Sequence, residues 1–377
     1  MGQIINPVMG AFTPIKYSLK LVELLYNDTL YPYITNTQYE GQIKESGDRV
    51  RVRTAGKISL STYTKGMELV KQELTPTYED LIIDQQQYFA FGVDDVDKIQ
   101  NDIDAINEYA MSSKRDMAEL IDADILKYGR KNVWGANVVG TSYSTGTCSV
   151  AATTGVVTGS GTTFTAGMVG GFIKFAALPN YYYVSAYTDA THITVTDVGS
   201  ASYTGGAIAP AAENTTYVIE GASALAVTEK TIYRYLVDLS TKMSASLAPR
   251  EGRWIVVNSA VEALLRNAPE FIPAVQSAYN GVVEKGLIGS IAGFKVYFSE
   301  LIDGNNTPTT GGYWVLAGCK DFMAFATQIS KVSVIPSEAD PNSFITTCKG
   351  LLVYGRKVFA GNRAKGGVMR ITTAYSS

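Results

Sequence analysis

Residues 254–258 read Trp254-Ile-Val-Val-Asn258, and the next proline along the chain is Pro269. The four apolar residues predict a short buried strand. Asn258 or Ser259 can cap a helix that runs from Ala260 to Asn267 and ends before the proline. A strand that leads directly into a helix is typical of a layered α/β lobe.

The pattern continues on both sides of this stretch. A helix is predicted from Thr228 onward, because one face carries Ile232, Tyr235, Leu236, Leu239 and Met243. Further strands are predicted at residues 294–298, 313–316, 331–336, 351–359 and 368–372.

A longer helix is predicted over residues 94–131. Its apolar positions recur in steps of three and four: Val96, Ile99, Ile103, Ile106, Ala110, Met117 and Leu120. Asp94 is placed to cap the N-terminus, and Lys127, Arg130 and Lys131 suit the negative end of the helix dipole. Such a helix would be about 55 Å long, which exceeds what a compact core needs.

Residues 49–92 predict a long hairpin that follows an arm with little regular structure. In the first strand Arg49, Arg51 and Arg53 alternate with valines, so one face is basic. The return run, residues 77–91, is acidic at Glu79, Asp80 and Asp84. We interpret these six charged residues as candidates for contacts between subunits; a charged strand that discourages edge pairing is the alternative.

Composition changes sharply at Gly135. From there to Gly221 charged residues almost vanish, and Gly, Thr, Ser, Ala and Val dominate. Short strands are predicted at residues 147–150, 171–175, 181–187, 192–196 and 215–219. We interpret residues 135–222 as a separate all-β domain inserted into the main fold.

Bulk composition restricts the classes of function. The 377 residues are 46% hydrophobic and 18% charged, with a formal net charge of -3, so the chain is globular and has no global basic signature for gripping nucleic acid. The three cysteines are too few and too widely spaced for a disulfide framework or a cysteine-only zinc site. The single histidine, His192, lies in a strand-like run and has no second histidine to share a metal. We therefore predict no catalytic, cofactor or metal site, and no membrane span or signal peptide.

Four stretches in this order resemble the major capsid protein of tailed phages with the Hong Kong 97-type fold. They are Tyr88-Phe-Ala-Phe-Gly-Val-Asp-Asp-Val-Asp97, Trp254-Ile-Val-Val-Asn258, Gly286-Leu-Ile-Gly-Ser-Ile-Ala-Gly-Phe-Lys-Val-Tyr-Phe-Ser299 and Gly350-Leu-Leu-Val-Tyr-Gly-Arg-Lys-Val358. The resemblance covers nearly all of the chain except residues 135–222. Within that segment, residues 154–165 and 184–196 are similar to a small β module of phage virion proteins.

The resemblance implies an α+β fold with six parts. They are an N-terminal arm (1–48), an extended hairpin loop (49–92), a peripheral-domain spine helix (93–134), the inserted β domain (135–222), an axial domain (223–330) and the return strands of the peripheral domain (331–377).

It also implies a non-enzymatic function: self-assembly into an icosahedral head shell that encloses phage DNA. The expected partners are further copies of the chain in pentamers and hexamers, portal and scaffolding proteins, decoration proteins, and packaged DNA contacted without sequence specificity. The expected location is the virion, after synthesis in the bacterial cytoplasm. An encapsulin-like compartment and another virion structural protein are the alternatives.

Some relatives join subunits through a lysine–asparagine isopeptide bond. Lys65 and Lys71 lie at the hairpin tip, where such a lysine would be. Because lysine is common at loop tips, the bond itself is not predicted.

Overall fold

A computed structural model describes residues 30–39, 49–54, 60–68, 71–72, 77–94, 105–198, 212–268, 287–303, 312–336 and 345–373. These residues divide into two compact units. The first contains the described residues between 37 and 110 together with Ala324–Lys357. The second contains residues 30–36, 111–323 and 358–373, again where they are described.

Four α-helices occur in the described residues: α1 (Tyr31–Ile34), α2 (Ala105–Lys131), α3 (Ile232–Ala245) and α4 (Ser259–Asn267). The strands are β1 (Arg49–Thr54), β2 (Thr77–Ile82), β3 (Gln85–Asp94), β4 (Val138–Val139), β5 (Thr141–Tyr143), β6 (Thr147–Val150), β7 (Val156–Ser160), β8 (Phe172–Phe175), β9 (Tyr181–Asp189), β10 (His192–Asp197), β11 (Ala212–Thr215), β12 (Tyr217–Ser223), β13 (Leu225–Val227), β14 (Arg253–Val257), β15 (Leu287–Ile291), β16 (Phe294–Phe298), β17 (Tyr313–Cys319), β18 (Ala324–Ile335), β19 (Ile345–Lys357) and β20 (Gly367–Thr373).

A mixed sheet of seven strands forms the α/β part of the second unit. Its order is β13-β20-β17-β14-β16-β15, and β4 pairs in addition with β20. Every residue of β14 is buried, and α4 follows at once with Asn258 as its N-cap, whose side chain accepts the amide hydrogen of Val261 at 3.1 Å. The predicted strand–cap–helix unit is therefore confirmed. The apolar side of α3, with Ile232, Leu236, Leu239 and Met243, belongs to the same core as this sheet.

An antiparallel sheet of eight strands forms the rest of the second unit, in the order β11-β6-β7-β10-β9-β8-β12-β5. It has its own core, which includes Val157, Phe175, Tyr182, Ile193 and Ile219. The strands predicted in the low-charge segment are confirmed, except that the last one is divided into β11 and β12. Alternating half-buried and buried residues, as in β6, explain why these strands could be predicted from the sequence.

The first unit contains two smaller sheets. β1 and β2 form an antiparallel hairpin, and β3 pairs with β19, which pairs with β18. The prediction of a single return strand over residues 77–91 is therefore wrong. The strand is interrupted at Ile83 and Asp84, after which the chain joins a different sheet. The predicted return strands, residues 331–377, also belong to two different sheets. β19 lies in this three-stranded sheet, whereas β20 lies in the seven-stranded sheet.

The start of the long helix also differs from the prediction. Asp94 is the last residue of β3 and pairs with Ile345, so it does not cap the helix. Within the described residues α2 is Ala105–Lys131, and these 27 residues span about 40 Å. The predicted apolar positions Val96, Ile99 and Ile103 lie outside the described residues.

The buried side of α2 is displaced from the predicted stripe. Leu120 is 40% exposed, whereas Ala118, Ile121 and Ile125 are buried. These three residues also follow helical spacing, so periodicity alone did not distinguish the two stripes. Arg130 and Lys131 do lie in the last turn, as the dipole argument predicted.

Candidate subunit-contact surface

The antiparallel register of β1 and β2 places the three arginines on one face of the hairpin. Arg49, Arg51 and Arg53 lie directly opposite Ile82, Asp80 and Tyr78, respectively. Because side chains alternate across a strand, the three arginines and the three residues opposite them share this face. We call it the basic face.

Asp80 is the carboxylate at the centre of the basic face. Arg51 donates from Nε to Oδ1 at 2.8 Å and from Nη2 to Oδ2 at 3.1 Å, a bidentate pair. Nη1 of Arg49 lies 3.8 Å from the same carboxylate. The hydrogen bonds from Arg51, with the nearby charges of Arg51, Arg49 and Lys357, lower the pKa of Asp80. One carboxylate thus faces several cations, and the basic face has a surplus of positive charge.

Tyr78 contributes an aromatic surface to the basic face. The guanidinium carbons of Arg53 and Arg51 lie 5.7 Å and 6.0 Å from the centre of its ring. Both distances fall within the range of cation–π contacts. Tyr78 and Ile82 nevertheless remain about half exposed, so the basic face combines cations with uncovered apolar area.

The other two predicted acidic residues are not on the basic face. Glu79 lies opposite Val52 on the other side of the hairpin, with the buried Leu81 as its neighbour on that side. Asp84 is exposed in the interruption between β2 and β3. Of the six candidates, therefore, the hairpin brings together the three arginines and Asp80 and separates Glu79 and Asp84 from them.

The hairpin tip carries apolar groups that sequence reasoning missed. All of residues 60–68 are exposed, and Leu60 and Tyr63 are 98% and 65% exposed. Residues 64–67 form a turn in which Met67 donates its amide hydrogen to Thr64, and Gly66 adopts a φ of +91° that suits glycine. The signal available in the sequence was the three isolated apolar residues, Leu60, Tyr63 and Met67, among the polar residues of the tip. Lys65 lies in this turn and Lys71 is also exposed.

A second pair of cations lies in the second unit, where Arg370 is buried and Arg130 is half-buried. The guanidinium carbons of Arg130 and Arg370 each lie 4.8 Å from the ring of Trp314. Nη1 of Arg370 donates to the carbonyl oxygens of Gly167, Val169 and Gly221. Burial, and secondarily the charge of Arg130, lower the pKa of Arg370 to about 10. This arginine is on β20, and its carbonyl partners belong to the segment that forms the eight-stranded sheet, so it ties the two sheets together.

Residues that could carry out chemistry are few. Nδ1 of His192 lies 2.9 Å from Asp189 at the β9–β10 turn, and the side chain is partly exposed, as expected for a surface strand residue. The three cysteines are free and buried, and burial raises the pKa of each thiol. Among the described residues, no group of three or more His, Cys, Asp or Glu side chains could hold a metal ion. No helix in the described part of the chain is long and apolar enough to cross a membrane.

Solved structures with a similar fold are described as phage or phage capsid structures. The chain is similar to a structure from Mycobacterium phage Che8 (TM-score 0.54, 17% identity, 90% of each chain covered). It is similar to the cyanophage Pam1 capsid asymmetric unit (TM-score 0.53, 16% identity, 90% of this chain and 91% of that chain). It is also similar to the capsid structure of cyanophage P-SCSP1u (TM-score 0.51, 13% identity, 91% and 86%). No protein family model and no curated protein matches the sequence.

The chain therefore has a phage capsid fold with mixed helices and sheets. The similarity extends over about nine-tenths of the chain, so it includes both compact units.

Proposed function

We propose that this chain is the major capsid protein of a tailed phage, a subunit that assembles with many copies of itself into an icosahedral head shell. The observation that carries the proposal is the capsid fold, which matches over 90% of this chain and of the two chains with the highest TM-scores quoted above. Because the structural similarity extends over nearly the whole of both chains, it supports a role as a shell subunit rather than the presence of one shared domain. No catalytic role is part of the proposal.

Within this function, the finer architecture is the Hong Kong 97 type. The proposed parts are the arm (1–48), extended loop (49–92), spine helix (93–134), inserted β domain (135–222), axial domain (223–330) and return strands (331–377). The β1–β2 hairpin supports an extended loop, and the separate core of the eight-stranded sheet supports an inserted domain. Among the described return strands, β20 lies in the seven-stranded sheet, most of whose strands fall in the proposed axial domain.

The extended loop supplies the proposed subunit contacts. Its tip exposes Leu60, Tyr63 and Met67, and its basic face exposes cations beside Tyr78 and Ile82. Apolar groups held in water on a narrow hairpin cost free energy that is recovered when another surface covers them. Surplus arginine charge favours an acidic surface on the neighbouring copy and helps to orient it.

Further partners follow from a shell function. Portal and scaffolding proteins, possible decoration proteins, and DNA contacted without sequence specificity complete the proposed set. The proposed location is the virion, after synthesis in the bacterial cytoplasm.

Electron microscopy of the purified, negatively stained chain tests the proposal. The expected result is closed icosahedral shells or, before assembly, pentamers and hexamers. Fibres or stable monomers under all conditions would contradict it. Shells purified from phage-infected cells should contain DNA; shells that instead contain cargo protein would favour an encapsulin-like compartment. Denaturing electrophoresis of the same particles distinguishes a cross-linked shell from one that yields a 40.6 kDa band.

A further inference from the structure

Asp122 is a buried carboxylic acid that the proposed assembly contacts do not use. It lies on α2, near its middle, between the buried residues Ile121 and Ile125. Only 7% of the residue is exposed. Buried carboxyl groups in proteins usually face a cation, because an isolated charge is costly to remove from water.

Among the described residues, the hydrogen-bond partners of Asp122 are two backbone amides instead. Leu30 donates its amide hydrogen to Oδ2 at 2.8 Å, and Tyr31 donates to Oδ1 at 3.1 Å. These amides open the single turn α1, and no side chain of α1 itself caps them. Asp122 thus supplies, from 91 residues away in sequence, the acceptor that the first turn lacks.

Residues 30–36, which we call the docked segment, are fixed at both ends. Asp122 holds the first end, and at the other the amide of Asn36 donates to the carbonyl oxygen of Met323 at 2.8 Å. Between them Tyr31 and Ile34 are buried, and Tyr33 stacks on Tyr297 with ring centres 5.8 Å apart. A change at Asp122 therefore acts on a defined contact between the docked segment and the rest of the second unit.

We propose that Asp122 is a proton-dependent anchor: the docked segment binds more tightly when this carboxyl group is protonated, and its docking weakens as the solution becomes alkaline. The proposal does not depend on the capsid function.

Two opposing effects decide whether the pKa of Asp122 is raised or lowered. The two amide hydrogens stabilise the ionised carboxylate, whereas burial, with no ion-pair partner among the described residues, destabilises it. Burial is the larger effect, and the pKa of Asp122 is raised from 3.8 to about 7. If the segment undocks, the carboxyl group becomes exposed and its pKa returns toward the ordinary value. The docked state therefore binds the proton more tightly, and its advantage is present below about pH 4 and lost as pH rises through about 7.

The other titratable groups described around the docked segment differ from Asp122 in type or exposure. Tyr31, Tyr33 and Tyr297 carry phenol groups, and burial raises the pKa of the Tyr297 phenol. On α2, Glu119 lies one turn before Asp122 but is exposed and paired with Arg115 at 3.2 Å.

At the far end, Asp321 accepts a hydrogen bond from the Asn36 side chain, and Nζ of Lys365 lies 3.9 Å from it. Asp321 is more than half exposed.

Amide hydrogen exchange on the full-length chain tests the anchor. Protection factors of residues 30–36, with the intrinsic pH dependence of exchange divided out, are measured from pH 6 to pH 8. The expected result is an approximately tenfold loss of protection over this range, from the linkage between the two pKa values. Asp122→Asn, a neutral side chain of the same shape, should give a flat profile. Asp116→Asn, an exposed carboxyl group on the same helix, should retain the wild-type profile.

A flat wild-type profile would overturn the proposal, and this result needs no variant. An equal loss of protection in wild type and Asp122→Asn would also overturn it, because another group would then be titrating. If Asp122→Asn fails to fold, the comparison of wild type with Asp116→Asn still decides. A tenfold loss of protection in both proteins supports the anchor. A flat profile in Asp116→Asn contradicts the anchor.

Discussion

Arg51 and Asp80 form a bidentate ion pair within one hairpin, with N–O distances of 2.8 and 3.1 Å. From the sequence, Arg51 and its neighbours were candidates for contacts between subunits, and Asp80 was one of their expected acidic counterparts. Because the two residues pair within one chain, Arg51 has two candidate roles. Arg51 can act by holding the hairpin in register, by facing a neighbouring subunit, or by both.

A charge swap separates these two roles. In Arg51→Asp, two like charges lie directly opposite each other and the contact with a neighbour is reversed, so we expect a folded chain with at least a tenfold lower yield of shells. The double variant Arg51→Asp with Asp80→Arg restores an ion pair between the two strands. The positive charge then lies on β2 and the negative charge on β1, so a neighbouring subunit still meets the charges in exchanged positions. Because the proposal assigns Arg51 a contact outside the chain, we expect the double variant to remain defective.

Shell yield is measured by sedimentation and electron microscopy, and circular dichroism verifies the fold. Lys230→Glu, an exposed charge change of the same sign outside the extended loop, serves as the control and should assemble normally. Wild-type yield from the double variant would mean that Arg51 acts only within the hairpin.

Local signals explain which parts of the fold the sequence predicted. The strand at Trp254, the cap at Asn258 and the helix before Pro269 are adjacent in sequence, so their hydrogen bonds and apolar spacing were all visible together. Asp94 shows the opposite case. Its partner Ile345 is about 250 positions away, and nothing near Asp94 indicates that a strand rather than a helix continues through it.

The candidate surface was predictable to a similar extent. Alternation of arginine and valine was sufficient to place three cations on one face. It could not show that Asp80 would be opposite Arg51 while Glu79 lies on the other side, because that depends on the register of the two strands. Asp122 gave no signal at all: its burial and its amide partners follow only from the tertiary position of residues 30 and 31.

The hairpin tip should matter for assembly and not for stability. We expect the combined change Leu60→Ser, Tyr63→Ser and Met67→Ser to alter the free energy of unfolding by less than about 0.5 kcal/mol, because exposed side chains lose few contacts. The same variant should lose most of its ability to form shells. Urea unfolding and sedimentation measure the two quantities, with Thr62→Ala as the control at the tip. A tip variant that assembles as well as Thr62→Ala would refute the role of these apolar groups.

Gly355 is required by a close backbone approach between β19 and the end of β2. A Cβ atom at this position would lie 2.4 Å from the carbonyl oxygen of Ile82. We expect Gly355→Ala to destabilise the chain by about 1–3 kcal/mol through this overlap. Gly361→Ala is the matched control, since no atom lies within 4 Å of its added methyl group. Thermal unfolding measures both, and equal stabilities for the two variants would count against the close approach.

Arg370 should be one of the most sensitive positions in the second unit, because it connects two sheets through one guanidinium group. On β20 it lies directly opposite Trp314, and its Nη1 is shared by three carbonyl oxygens of the segment that carries the eight-stranded sheet. Arg370→Met keeps the length and the packing on Trp314 but leaves those carbonyls without their donor. The expected loss is about 2–4 kcal/mol in the free energy of unfolding, in keeping with buried polar groups that lose a charged partner.

The variant Arg370→Lys distinguishes charge from geometry. Lysine keeps the positive charge, but its ammonium group lacks the planar fork of arginine, so we expect an intermediate loss. Thr372→Ala, an exposed change two residues along the same strand, should stay within about 0.5 kcal/mol of wild type. Urea unfolding supplies the free energies, and hydrogen exchange of residues 166–170 reports whether the two sheets separate. If Arg370→Met unfolds at the wild-type midpoint with unchanged protection in that loop, the connection is made by apolar packing and not by the guanidinium group.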